Sequence, residues 1–206
     1  MTRTSLDDFR LQCERLISEA RTLLAGIPTN QAICQPDPGA WSIAQHLEHL
    51  GIVNEQFVEA LRTAIDGPRV TARNTGDLRP NLLGRWFLKM LEPPPKPRVK
   101  APRGAQPAAT VRPLEAGDRF ARSVESVIQL IEAAQRVDVN RISFRHPFLP
   151  NVRFNVAAGL LMTAAHARRH LWVAARLRSQ LSDRMPAIGG VRVGHCSGAV
   201  SAGDAR

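Results

Sequence analysis

The sequence predicts an all-α fold, four amphipathic helices packed as a bundle. Three observations carry this. Apolar residues recur at three- and four-residue steps along four stretches of about 20 residues or more. The strict alternation expected of half-buried strands is almost absent. Two of the stretches open on a capping-box pattern, Ser5 with Asp8 and Ser42 with Gln45.

The first helix is expected over residues 5–25. Leu6, Phe9, Cys13, Leu16, Ile17, Ala20, Leu23 and Leu24 form its inward stripe, and Gly26 and Pro28 end it. A turn with two prolines, residues 35–39, leads to the second helix. Trp41 is the hydrophobic residue before the Ser42 cap, and Ile43, Leu47, Leu50, Val53, Phe57, Leu61 and Ile65 form the core face. This helix continues to about residue 66, where Gly67 and Pro68 stop it. The third helix is expected over 116–137, with Phe120, Val124, Val127, Ile128, Ile131 and Ala134 inward. Residues 144–151 read as a loop leading to the fourth helix, which Asn155 caps and which runs to about residue 181. One domain over 1–182 follows, with 183–206, rich in Gly, Ser and Ala, as a flexible tail.

Residues 67–113 differ in kind. A short apolar piece, 82–91, suits a helix anchored by Trp86, Phe87 and Leu88. Residues 93–107 then hold six prolines and are expected to be an extended, mobile loop. Ten Lys or Arg against Asp77 and Glu92 place +8 of the chain's +10 net charge between Gly67 and Arg112. The charge therefore belongs to a basic Pro-rich insert. Without helix-turn-helix or zinc-finger spacing, that insert is not read as a nucleic-acid site.

The N-terminus has no apolar core of a secretory signal, and the longest uncharged apolar run, 156–165, is about half of a bilayer span. A cytoplasmic protein without membrane contact is expected. The three cysteines, Cys13, Cys34 and Cys196, follow no ligand spacing and fit reduced thiols, with Cys13 as core filler.

The chemistry lies in histidine. His166 and His170 are four apart on the fourth helix, so two imidazoles on one face can chelate one ion. His46 and His49 lie on the second helix. A wheel at roughly 100° per residue puts His166, His170 and His49 on the margins of their apolar stripes, and His46 closer to the core. Histidines on two margins would meet at a groove edge. For His46 the simplest reading is a buried ring bonded to a backbone carbonyl. Arg145, Arg168 and Arg169 are candidates for holding an anionic group, and His146 for covering the site.

Trp41-Ser-Ile-Ala-Gln-His46-Leu-Glu-His49-Leu, followed by His166-Ala-Arg-Arg-His170-Leu-Trp, resembles the DinB/YfiT-like superfamily of metalloenzymes. The resemblance implies an up-down-down-up four-helix bundle and a nickel or zinc ion held by His49, His166 and His170. Many members carry Gln three residues after the last histidine, where this chain has Val173, and its insert between helices two and three is longer. Relatives that transfer or use low-molecular-weight thiols imply a small-molecule substrate and a thiol nucleophile; a non-catalytic metal-bound scaffold or homodimer is a separate reading that the sequence leaves open. Three neutral imidazoles leave a coordination position open, and metal-activated water acting in hydrolysis is the alternative.

Overall fold

The computed structural model describes residues 4–67, 76–94 and 100–184. The tail beyond residue 184 and parts of the insert lie outside the described residues. Four long helices make the body: α1 (Leu6–Leu24), α3 (Ile43–Ile65), α5 (Pro113–Ala134) and α6 (Val156–Arg184). A single turn, α2 (Thr29–Ala32), and a shorter helix, α4 (Leu82–Leu91), lie between them. Two small antiparallel pairs complete the fold, β1 (Thr4–Ser5) with β2 (Asp77–Leu78), and β3 (Ser143–His146) with β4 (Leu149–Asn155).

Both capping boxes form. Asp8 N donates to Ser5 Oγ at 3.0 Å, and Gln45 N donates to Ser42 Oγ at 3.2 Å. In each case the third residue's side chain accepts from the cap's own backbone N–H. At α6, Ala158 N donates to the Asn155 carboxamide at 3.2 Å. α5 begins at Pro113, whose fixed φ and missing N–H suit the first helical position. The seven residues expected on the core face of α3 are all buried.

α5 and α6 each pack against both α1 and α3. Side-chain contacts give the directions. Arg10 of α1 reaches Glu132 near the end of α5, whereas Glu48 in the second turn of α3 meets Arg119 in the second turn of α5 and Asn54, farther along α3, donates to Ser123, farther along α5. α1 and α5 are therefore antiparallel, and α3 and α5 parallel. Arg168 near the middle of α6 bonds Gln12, and Arg178 farther on bonds the carbonyls of Thr22, Leu23 and Ala25 at the end of α1. α1 and α6 therefore run together, which gives the up-down-down-up order. Arg178 also places a cation on the C-terminal carbonyls of α1, where the helix dipole favours it.

Three expectations are corrected. Residues 144–151 are not a loop, because Phe144 and Phe154 pair across a hairpin and both turn into the core while Arg145 and Arg153 face out. Pro147 and Pro150 interrupt the sequence and hid the strand alternation. Trp86 does not anchor α4. It is 58% exposed, while Leu88 is buried and Phe87 packs on Phe154 at 5.4 Å between ring centres. Cys34 is disulfide-bonded and not a reduced thiol, whereas Cys13 is a free thiol whose pKa burial pushes up to about 12. Cys13 is core, and too hard to ionise to act as a nucleophile.

Gly159 sits where α3, α6 and the hairpin converge. A Cβ there would stand 2.6 Å from both Leu61 and Phe144. Alanine is the better helix former by about 1 kcal/mol, but both neighbours are buried side chains in a packed core, and overpacking costs about 1–3 kcal/mol. Gly159→Ala should therefore lower the urea midpoint of unfolding, whereas Gly104→Ala, at a position with nothing within 4 Å, should leave it unchanged. Equal midpoints for the two variants would contradict this packing.

Candidate metal centre

The antiparallel run of α3 against α6 brings the first turns of α3 beside the middle of α6. His49, His166 and His170 each offer one nitrogen, and the three nitrogens lie within 4.8 Å of one another. His49 Nε2 is 3.4 Å from His166 Nε2. Two nitrogens bound tetrahedrally at roughly 2.0–2.1 Å to one ion stand about 3.3–3.4 Å apart, so the pair fits a shared ion. His49 is buried, and His166 and His170 are half-buried, so what exposure the cluster keeps is on its α6 side.

Outer bonds set the rings. His49 Nδ1 lies 2.5 Å from the carbonyl oxygen of Ala105. A carbonyl only accepts, so Nδ1 carries the proton and Nε2 holds a lone pair facing His166. His46 Nδ1 and His170 Nδ1 are 2.8 Å apart, one donating to the other. His46 is thus buried as expected, but its partner is His170 rather than a backbone carbonyl. His166 Nδ1 is buried with no partner. An unmatched buried nitrogen costs about 1–3 kcal/mol, which a purely structural histidine would avoid.

Burial holds all four rings neutral. It pushes His46 down to about 4, helped by the nearby His49. His166 and His170 fall well below the ordinary histidine value, first through burial and then through the neighbouring imidazoles and Arg169. Burial also lowers His49, although its bond to Ala105 acts the other way. Neutral imidazoles are the form that binds metal.

The remaining sequence candidates go elsewhere. Arg168 pairs with Glu92 and Gln12, and Arg169 donates to the Met90 carbonyl at 3.0 Å. These arginines fasten α4 and α1 to α6 and are occupied there. Arg145 is exposed on β3 opposite Arg153. His146 does not join the cluster. It lies buried among Phe57, Phe87, Phe148 and Phe154, and its Nδ1 accepts from Phe148 N at 3.1 Å. Two site features escaped the sequence reading. Trp41 packs its ring 4.6 Å from His49, 5.5 Å from His46 and 5.9 Å from His170, forming a wall. Its place just before the Ser42 cap was the available signal. The second is the Ala105 carbonyl, a backbone group that no side-chain motif announces.

Acids are kept away. Glu48 and Glu55, the carboxylates nearest His49 in sequence, both pair with Arg119 of α5, at 2.5 and 2.6 Å. Among the described residues, no carboxylate joins the histidine cluster.

Two outcomes are expected. His49→Ala, His166→Ala and His170→Ala should each purify largely metal-free by elemental analysis. His46→Ala, which removes only an outer partner, should retain metal with an affinity lowered about 10–100-fold. Loss of metal from His46→Ala with retention in His49→Ala would reverse the assignment on α3. In the metal-free protein the unfolded chain takes up protons near the ordinary histidine value of 6.5, while folded His46 does so only near 4. Stability should therefore be full above that upper value and fall with pH through the window between the two. Urea midpoints that stay level across the window would exclude this.

The DinB superfamily profile matches residues 12–174, a stretch that includes all three histidines. No curated protein matches the chain. The structure resembles YfiT from Bacillus subtilis, described as a probable metal-dependent hydrolase with an unusual four-helix bundle topology. The TM-score is 0.57 at 13% identity, over 86% of this chain and 87% of that one. At that identity the likeness speaks for the fold. The profile spans most of the chain, and the chain belongs to the DinB superfamily.

Proposed function

We propose that this protein is a divalent-metal-dependent enzyme that transfers a low-molecular-weight thiol to a small electrophile. The observation that carries the reading is a three-histidine cluster, half-buried at its α6 members, with the carboxylates nearest His49 in sequence paired to Arg119. His49, His166 and His170 would hold the ion, and imidazole donors suit zinc or nickel. When bound, such an ion supplies an open position at which a thiol or water ionises near neutral pH.

The chain's own residues favour the thiol. Water attack in comparable sites is usually assisted by a general base beside the metal, commonly a Glu. Here Glu48 and Glu55 bond Arg119 instead, and His46 is committed to His170. A thiol needs no such base, because coordination itself removes its proton. Trp41 walls the cluster beside His49 and His170. The half-buried side at His166 and His170 is the approach for thiol and electrophile.

Hydrolysis is the second reading, favoured by the fold shared with Bacillus subtilis YfiT and by that protein's description. The two separate in one assay. Metal-loaded protein is offered glutathione, bacillithiol and mycothiol in turn with a chromogenic electrophile, alongside ester and amide substrates. Thiol conjugation that chelation removes and His166→Ala abolishes is the expected result. Metal-dependent cleavage of an ester or amide, with no conjugation above the metal-free rate, would move the function to hydrolase.

A further inference from the structure

Residues 93–107 were expected to be a loose loop. The part from residue 100 onward is instead laid along α3. It makes one 3-10 turn, η1 (Arg103–Ala105), between Pro102 and Pro107, and Ala105 is only 1% exposed. Three α3 side chains hold it. Gln56 Nε2 donates to the Gly104 carbonyl at 2.9 Å, and Gln45 Nε2 donates to the carbonyls of Ala108 and Ala109 at 3.1 and 3.4 Å. Between these glutamines, His49 Nδ1 donates to Ala105 O. Gln45 is itself fixed, because its Oε1 accepts from Gln35 and from the backbone of Ser42.

We propose that residues 100–109 form a strap that is part of the metal site: docked on α3, the strap sets the tautomer of His49 through the Ala105 carbonyl and thereby sets metal affinity. Gln45 and Gln56 are its positioning residues. The inference rests on the reading of His49, His166 and His170 as metal ligands. Either nitrogen of a neutral imidazole can carry the proton, and only the Nδ1–H form presents the Nε2 lone pair toward His166. The Ala105 carbonyl selects that form, the role usually filled by an outer partner of a ligating histidine. Coupling of this kind is reciprocal, so metal binding holds the strap down as firmly as the strap favours metal. The hold is light, because Ala105 is the only buried apolar residue in the strap, while Pro102 and Pro107 reduce the freedom lost on docking.

The test uses zinc as probe on the full chain. Ala105→Glu, which puts a large charged side chain where no space exists, should weaken zinc binding about 10–100-fold in competition with a chromogenic chelator. Gln56→Ala, milder and free of any core change, should weaken it in the same direction. In wild-type protein the His49 ring nitrogens should give the 15N signature of protonated Nδ1, and Ala105→Glu should shift it toward a mixture. Zinc should slow trypsin at Arg103 in wild type but not in His49→Ala. Unchanged zinc affinity in both strap variants, or protonated Nε2 at His49 in the wild type, would overturn the strap. Failure of the wild type to bind zinc at all would overturn the metal site beneath it.

Discussion

Four imidazoles share one seam between α3 and α6, and none can take up a second proton there without bringing a charge out of water to face the others. That constraint organises much of the structure. Neutral rings have one donor and one acceptor nitrogen each, so every outer bond fixes which nitrogen is left for an ion. Ala105 settles His49, the His46–His170 contact engages the Nδ1 atoms of both those rings, and His49 and His166 meet through Nε2. The bundle topology follows the same need. α6 runs antiparallel to α3, so a pair four residues apart on α6 can face His49 near the start of α3.

Charge is arranged around this seam rather than within it. Arg119 gathers Glu48 and Glu55 on the α5 side, and Arg168 gathers Glu92 on the side where α4 docks. A carboxylate beside the imidazoles would favour their protonated forms and compete for the ion. Keeping acids at a distance preserves neutral ligands and leaves the open position without a built-in base. The same arginines fasten neighbouring helices, so the distribution that defines the chemistry also holds the elements in place. No helix among the described residues is long and apolar enough to cross a membrane, and the excess of basic residues in the insert flanks a segment whose described part lies against α3.

The four helices were legible because their apolar stripes and capping boxes are local signals, read within a turn or two of chain: Ser5 with Asp8, Ser42 with Gln45, Asn155 ahead of α6. The histidine spacing was legible for the same reason, since one helix face follows from the period alone. The hairpin was hidden because Pro147 and Pro150 break the alternation that Phe144 and Phe154 would otherwise announce. The wheel placed His49 on the margin of α3, yet the residue is buried. Its burial comes from a segment more than fifty residues away in sequence, which no wheel includes.

Sequence by itself determined that the chain would make four amphipathic helices and that two of them would carry paired histidines, because periodicity and capping act over a few residues. Tertiary structure decided which nitrogens meet, which acids are withdrawn by Arg119, and that Ala105 rather than solvent completes His49. Those outcomes depend on a backbone carbonyl and on contacts between residues far apart in the chain, and a backbone carbonyl is the same at every position in a sequence.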